Sequence, residues 1–211
     1  LSYISGSNKE EDKNGEMNIF TRINNLCKST DSRNPFTQLW FLPPNNIDEV
    51  STCLSNIMDK DKILKNYIVL NINRKNTSLD KSVILDINHA EELAIQKNKK
   101  GVIILAGNML NLAISLHKCD VVFLLNNTLS VDKIMQQMFR CMTEALNKKF
   151  GIVVDFNISR ILNTCTSYNI YKQDMNIEDK IKYLIEYHLI NIDNDLMINK
   201  KINSDILINK I

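Results

Sequence analysis

Residues 99–144 read KKGVIILAGNMLNLAISLHKCDVVFLLNNTLSVDKIMQQMFRCMTE, and the order of patterns in this stretch decides the fold. An apolar run, Gly101–Ala106, ends at Gly107. The segment NMLNLAISL then has the spacing of a short helix. A second apolar run, Asp120–Leu125, follows, and Ser130–Glu144 repeats apolar residues at Val131, Ile134, Met138 and Cys141, a spacing that continues to Ala145. The two runs lack strict alternation, as strands covered on both faces do. Strand, helix, strand, helix in that order implies a parallel sheet.

The same reading extends outward in both directions. QLWFL (38–42), NYIVLNI (66–72) and GIVVDF (151–156) are three further apolar runs of strand length. Between them, NNIDEVSTCLSNIMDK and LDINHAEELAIQKN carry helical spacing. The expected fold is therefore α/β, a parallel sheet of five or six strands with helices on both faces. Residues 1–36 are polar, and SGSNKEEDKNGE predicts a flexible lead-in or linker. The sheet domain is expected over 37–156. Residues 157–211 are expected to be a mainly helical extension, with NIEDKIKYLIEYHLI amphipathic through Ile181, Leu184, Ile185 and Leu189. The chain begins at Leu1 rather than Met, so it is expected to be a piece of a longer protein.

Composition narrows the functional classes. Of 211 residues, 44% are hydrophobic and 24% charged, enough to bury a core. A net charge of +2 makes no bulk demand for a polyanion, so any nucleic-acid contact has to be local. Asn and Ile number 29 each, which reads as AT-rich coding and not as a prion-like tract. The five cysteines contain no C-x-x-C pair, and His89, His117 and His188 are scattered. No metal site is expected, and a reducing, intracellular, cytoplasmic setting is. There is no membrane-length apolar run and no signal peptide, so no membrane partner is expected.

Three elements remain as candidates for chemistry, and all were expected at the C-terminal edge of the sheet, where parallel folds bind ligands. In FLPPNN, Pro43 and Pro44 stop a strand, and Asn45 or Asn46 is placed to cap the next helix. In ILAGNMLNLAISL, Gly107 and Asn108 stand at a strand-to-helix turn, where backbone N–H groups suit a phosphate. In the last helix, Gln136, Arg140 and Thr143 share a polar stripe at i, i+4 and i+7. No phosphate loop, dinucleotide fingerprint or nucleophile elbow accompanies them, so a self-sufficient nucleotide hydrolase is not expected.

Taken together, residues 99–144 resemble motifs V and VI of superfamily 2 helicases, with FLPPN falling at motif IV. The resemblance covers 38–156 and is nearest in flavour to divergent helicases of large nucleocytoplasmic DNA viruses. It implies a RecA-like sheet, the second of two such domains. It further implies Arg140 as an arginine finger, Gln136 and Ser115 on the nucleotide side, and Gly107, Asn108, Pro43 and Asn45 along a nucleic-acid backbone. ATP and Mg2+ would be held mostly by an upstream first RecA-like domain, with single-stranded or duplex nucleic acid as the other partner. The sequence departs from the family at Phe139, where a glycine is usual, at Thr143, where a second arginine is, and at Ala113, where motif V has glycine. Those departures fit a runner-up reading, a catalytically weak helicase-like scaffold in viral transcription machinery, located in a viral factory or virion.

Overall fold

The computed structural model describes residues 1–6, 18–72, 79–107, 116, 118–167 and 174–186. The elements are α1 (Ser2–Ser5), α2 (Ile19–Ser29), β1 (Thr37–Phe41), α3 (Ile47–Lys60), β2 (Tyr67–Ile72), α4 (Leu79–Gln96), β3 (Gly101–Ala106), β4 (Cys119–Leu124), α5 (Val131–Met138), β5 (Ile152–Asp155), α6 (Ile158–Ser167) and α7 (Ile177–Glu186). All five strands pair in parallel, in the order β2-β3-β1-β4-β5. The expected parallel α/β sheet is present, and each apolar run forms a strand within a residue or two of its predicted ends.

The pleat explains why the central strands read as continuous apolar runs. Leu39 and Phe41, Val102 and Ile104, and Val122 and Leu124 face one side, packed with Val83, Ile87, Ala90 and Ala94 of α4 and Ile134 of α5. Trp40, Ile103, Leu105, Val121 and Phe123 face the other, packed with Phe20, Ile23 and Cys27 of α2 and Met58 of α3. Both faces are thus roofed, and nothing in β3 or β4 reaches solvent. Trp40 and Phe123 stack across β1 and β4 with ring centroids 4.7 Å apart.

Three expectations need correction. Residues 1–36 are not wholly a flexible lead-in: α2 lies within them and buries Phe20, Ile23 and Cys27 in the second core. Its start is fixed by Asn18, whose Oδ1 accepts from the Thr21 N–H at 2.9 Å. The helix expected to run through Glu144 ends at Met138 and tightens into a 3-10 turn, Phe139–Cys141. Thr143 and Ala145 consequently leave the helical register. The boundary at 156 also fails to separate α6, because Arg160 on that helix is buried against the ends of β4 and β5. Beyond it, residues 158–167 and 177–186 are helical. The segment NMLNLAISL, apart from its last residue Leu116, and the chain after 186 lie outside the described residues.

Candidate functional site

The C-terminal edge of the sheet is built by the register itself. Phe41 stands opposite Ala106 on one side and Leu124 on the other. The Leu42 N–H donates to the Ala106 carbonyl at 2.8 Å, and the Leu125 N–H to the Phe41 carbonyl at 2.9 Å. Pro43 and Gly107 therefore leave neighbouring strands on the same edge. β1 is followed by α3 on one face and β4 by α5 on the other. Adjacent strands whose connections leave to opposite faces open a crevice between their ends, the topological switch point at which open parallel sheets bind ligands. Here it lies between residues 42–46 and 125–130.

Pro43 is half-buried beside this crevice, and Asn45 and Asn46 are exposed. Asn46 occupies the N-cap position of α3 with left-handed backbone (φ 54°) and no side-chain capping bond, so the capping expected of it does not occur. Asp48 and Glu49 in the first turn of α3, and Asp132 in that of α5, put negative charge at both helix starts. Carboxylates there satisfy the helix dipoles and leave less for a phosphate. Gly107 is buried. Asn108 and Ser115 lie outside the described residues.

One bank of the crevice is held by a buried polar cluster that the sequence reading did not anticipate. Arg160 is 4% exposed. Its Nε donates to Asp155 Oδ2 at 2.8 Å and its Nη2 to Asp155 Oδ1 at 2.6 Å, a two-pronged ion pair. The remaining donors reach the Leu124 carbonyl at 3.0 Å, the Asn126 carbonyl at 2.7 Å and Oδ1 at 3.2 Å, and the Thr128 carbonyl at 3.3 Å. The Asn126 Nδ2 in turn donates to Oε1 of Gln137, itself 1% exposed, at 3.0 Å. One chain of contacts thus ties β5 and α6 to the β4–α5 loop and then to the last turn of α5. A signal for Gln137 did exist. It shares a helical row with Ile134 and Cys141, and an amide on an apolar row needs a buried partner. Arg160 had no such signal, since its partners come from three segments.

The other end of α5 lies at the opposite edge of the sheet. A Cβ built on Gly151, the residue before β5, would lie 2.1 Å from the Cys141 carbonyl oxygen, so the turn rests directly on the backbone there. The Lys148 Nζ donates to the carbonyls of Cys119 at 2.8 Å, Cys141 at 2.6 Å and Thr143 at 2.7 Å. Cys119 begins β4. Arg140, in the turn that Lys148 holds, is half-buried, and burial pulls its pKa below the ordinary guanidinium value, with the neighbouring Cys119 acting in the opposite direction. Gln136 is exposed one turn earlier on α5. The structure therefore separates candidates expected together: Pro43, Asn45 and Gly107 at the C-terminal edge, Arg140 toward the N-terminal edge. An 8-residue helix followed by a 3-10 turn lies between those edges, so the two sets of residues lie apart.

Near Arg140 the surface is apolar as well as cationic. Phe139 is 57% exposed, Met142 48% and Leu146 83%. Phe139 faces outward, which is why a bulky residue fits there. Among the described residues no group of histidines, cysteines and carboxylates is placed to hold a metal ion, and no helix is long and apolar enough to cross a membrane.

No protein-family model and no curated protein sequence matches the chain. Among solved structures it is similar to a Mycobacterium smegmatis helicase, Lhr, bound to single-stranded DNA and AMP-PNP, at 12% identity and a TM-score of 0.41, over 85% of this chain and 23% of that one. It is similar to the C-terminal part of the Fun30 ATPase domain at 14% identity and a TM-score of 0.40, over 95% and 56%. A third, domain 2 of the DEAD-box helicase Mss116p bound to an RNA duplex, has 13% identity and a TM-score of 0.39, over 82% and 64%. The chain spans less than two thirds of each of these.

Proposed function

We propose that this chain is the second, RecA-like motor domain of an ATP-dependent nucleic-acid helicase or translocase. ATP and Mg2+ are held by a first domain that carries the phosphate loop this sequence lacks. Arg140 is the residue this domain offers to the nucleotide. The observation that carries the reading is Arg140 itself: a half-buried guanidinium at the end of α5, in a turn whose carbonyls a lysine holds. In phosphoryl transfer, negative charge on the γ-phosphate oxygens has to be met as the bond loosens, and a preorganised arginine meets it. A partly desolvated cation does so more strongly than one in open water.

Gln136, exposed one turn before Arg140, and Ser115 are the accompanying nucleotide-side residues. Pro43 and Asn45 at the switch-point crevice, with Gly107 and Asn108, are proposed to follow a single-stranded or duplex nucleic-acid backbone. Such contacts carry no base information and fit a chain of net charge +2. Two ligand surfaces on opposite edges of one sheet let nucleotide-dependent closure on Arg140 move the strand held at the other edge. Phe139 and Thr143 favour a second reading in which hydrolysis is weak and the domain acts as a scaffold in viral transcription machinery. Hydrolysis assays test the two-domain division. The purified 211 residues are expected to show no metal-dependent ATPase, and measurable turnover by them alone would overturn it.

A further inference from the structure

Lys148 lies outside every motif in the sequence, yet it is the residue most directly engaged with the Arg140 turn. Its ammonium has three protons, and three carbonyls, those of Cys119, Cys141 and Thr143, accept from it at 2.8, 2.6 and 2.7 Å. Two of them belong to residues one and three places after Arg140. The third begins β4, a strand buried on both faces. One side chain thus fastens the turn to the start of a fully buried strand. Carbonyls at a helix C-terminus lack partners within the helix and carry the negative end of its dipole, so a cation is the favoured group there. The loop that delivers Lys148 is itself fixed. The Lys148 N–H donates to the Ala145 carbonyl at 3.1 Å, the Asn147 carbonyl accepts from the Arg33 N–H at 2.7 Å, and the Lys149 N–H donates to Ser32 Oγ at 3.2 Å.

We propose that Lys148 is the positioning residue for Arg140, holding the guanidinium at the end of α5 where nucleotide held by another domain meets it. This rests on the nucleotide-side reading of Arg140 and deepens it. Lys148 touches no substrate. Its effect is on geometry, and displacement of a reacting group by about 1 Å costs up to about a hundredfold in rate.

The test uses the protein that carries both domains, with Arg140→Ala, Lys148→Met and the double variant compared by steady-state ATP hydrolysis. Lys148→Met is expected to lower kcat by about ten- to a hundredfold with KM for ATP unchanged, because the nucleotide is bound elsewhere. In an Arg140→Ala background it is expected to change nothing further, since it acts only through that side chain. A residue with a merely structural role would add its loss to both backgrounds. Full turnover in Lys148→Met, or a double variant slower than Arg140→Ala by the whole single-variant factor, overturns the proposal and leaves the role of Arg140 standing. Unchanged turnover in Arg140→Ala overturns the role itself and this proposal with it. Where Lys148→Met does not fold, Lys148→Gln serves on the same criteria, because its amide can donate to only two of the three carbonyls.

Discussion

Replacing Arg160 by Met removes the hub of the buried cluster while keeping much of its volume. Asp155, with its side chain 5% exposed, would lose both charge-assisted bonds and its guanidinium partner, keeping the Asn157 N–H at 2.9 Å. Breaking such a pair from one side costs about 3–5 kcal/mol. The carbonyls of Leu124, Asn126 and Thr128 lose a donor as well, so the loss should fall at the upper end of that range. For a chain of this size each kcal/mol moves the thermal midpoint by roughly 2–4 °C, so a loss of about 5 kcal/mol gives a drop of roughly 10–20 °C. Adding Asp155→Leu should recover part of the loss, because the double variant no longer buries a lone charge. Urea unfolding of the 211-residue chain, followed by circular dichroism for both single variants and the double, measures the coupling. A Arg160→Met midpoint within about 1 kcal/mol of the parent, or double-variant losses that simply add, would refute the claim that this cluster holds the sheet end together.

Gly151→Ala should destabilise by about 1–3 kcal/mol, since its Cβ would meet the Cys141 carbonyl at 2.1 Å and backbone has to shift; a thermal melt reads this directly. Of the four cysteines whose side chains are described, Cys53 is exposed while Cys27, Cys119 and Cys141 are buried. A disulfide reagent at pH 8 should therefore label Cys53 rapidly and those three only on unfolding. Burial pushes the Cys141 thiol and the Tyr67 hydroxyl each up to about 12, so the folded chain keeps protons that the unfolded chain releases from its ordinary thiol and phenol values upward. The stability these two groups contribute should be level just below about pH 8 and fall as the pH rises from there toward 12, which denaturant titrations from pH 7 upward would show.

The sheet was legible because fully covered parallel strands leave an unambiguous trace. β3 and β4 are apolar at almost every position, and six such residues bounded by turn signals are too short for a helix and fit a strand covered on both faces. α2 was hidden by its polar setting: only Phe20, Ile23 and Cys27 mark its buried face, and they follow a long charged stretch. The end of α5 was misjudged because apolar spacing continues through Cys141 and Ala145, whereas the bonds that stop the helix come from Lys148, outside the pattern. Gln136 was singled out for its match to a motif, while its neighbour Gln137 is the one the fold engages. Periodicity locates a face, but it cannot show which polar residue on that face has a partner 11 positions away in another loop. The division of the candidates between two sheet edges was not legible at all. It follows from where α5 ends along the strands, and that depends on the turn.

Arg140→Ala in the protein carrying both domains tests the central claim most directly. ATP hydrolysis with and without single-stranded nucleic acid is measured beside a thermal melt and a nucleotide-binding titration. The account predicts an unchanged melt, near-normal nucleotide affinity, a turnover lower by roughly 10³-fold or more, and little rescue by Arg140→Lys, which lacks the planar fork. Unchanged turnover in Arg140→Ala would contradict it and remove this arginine from the nucleotide site.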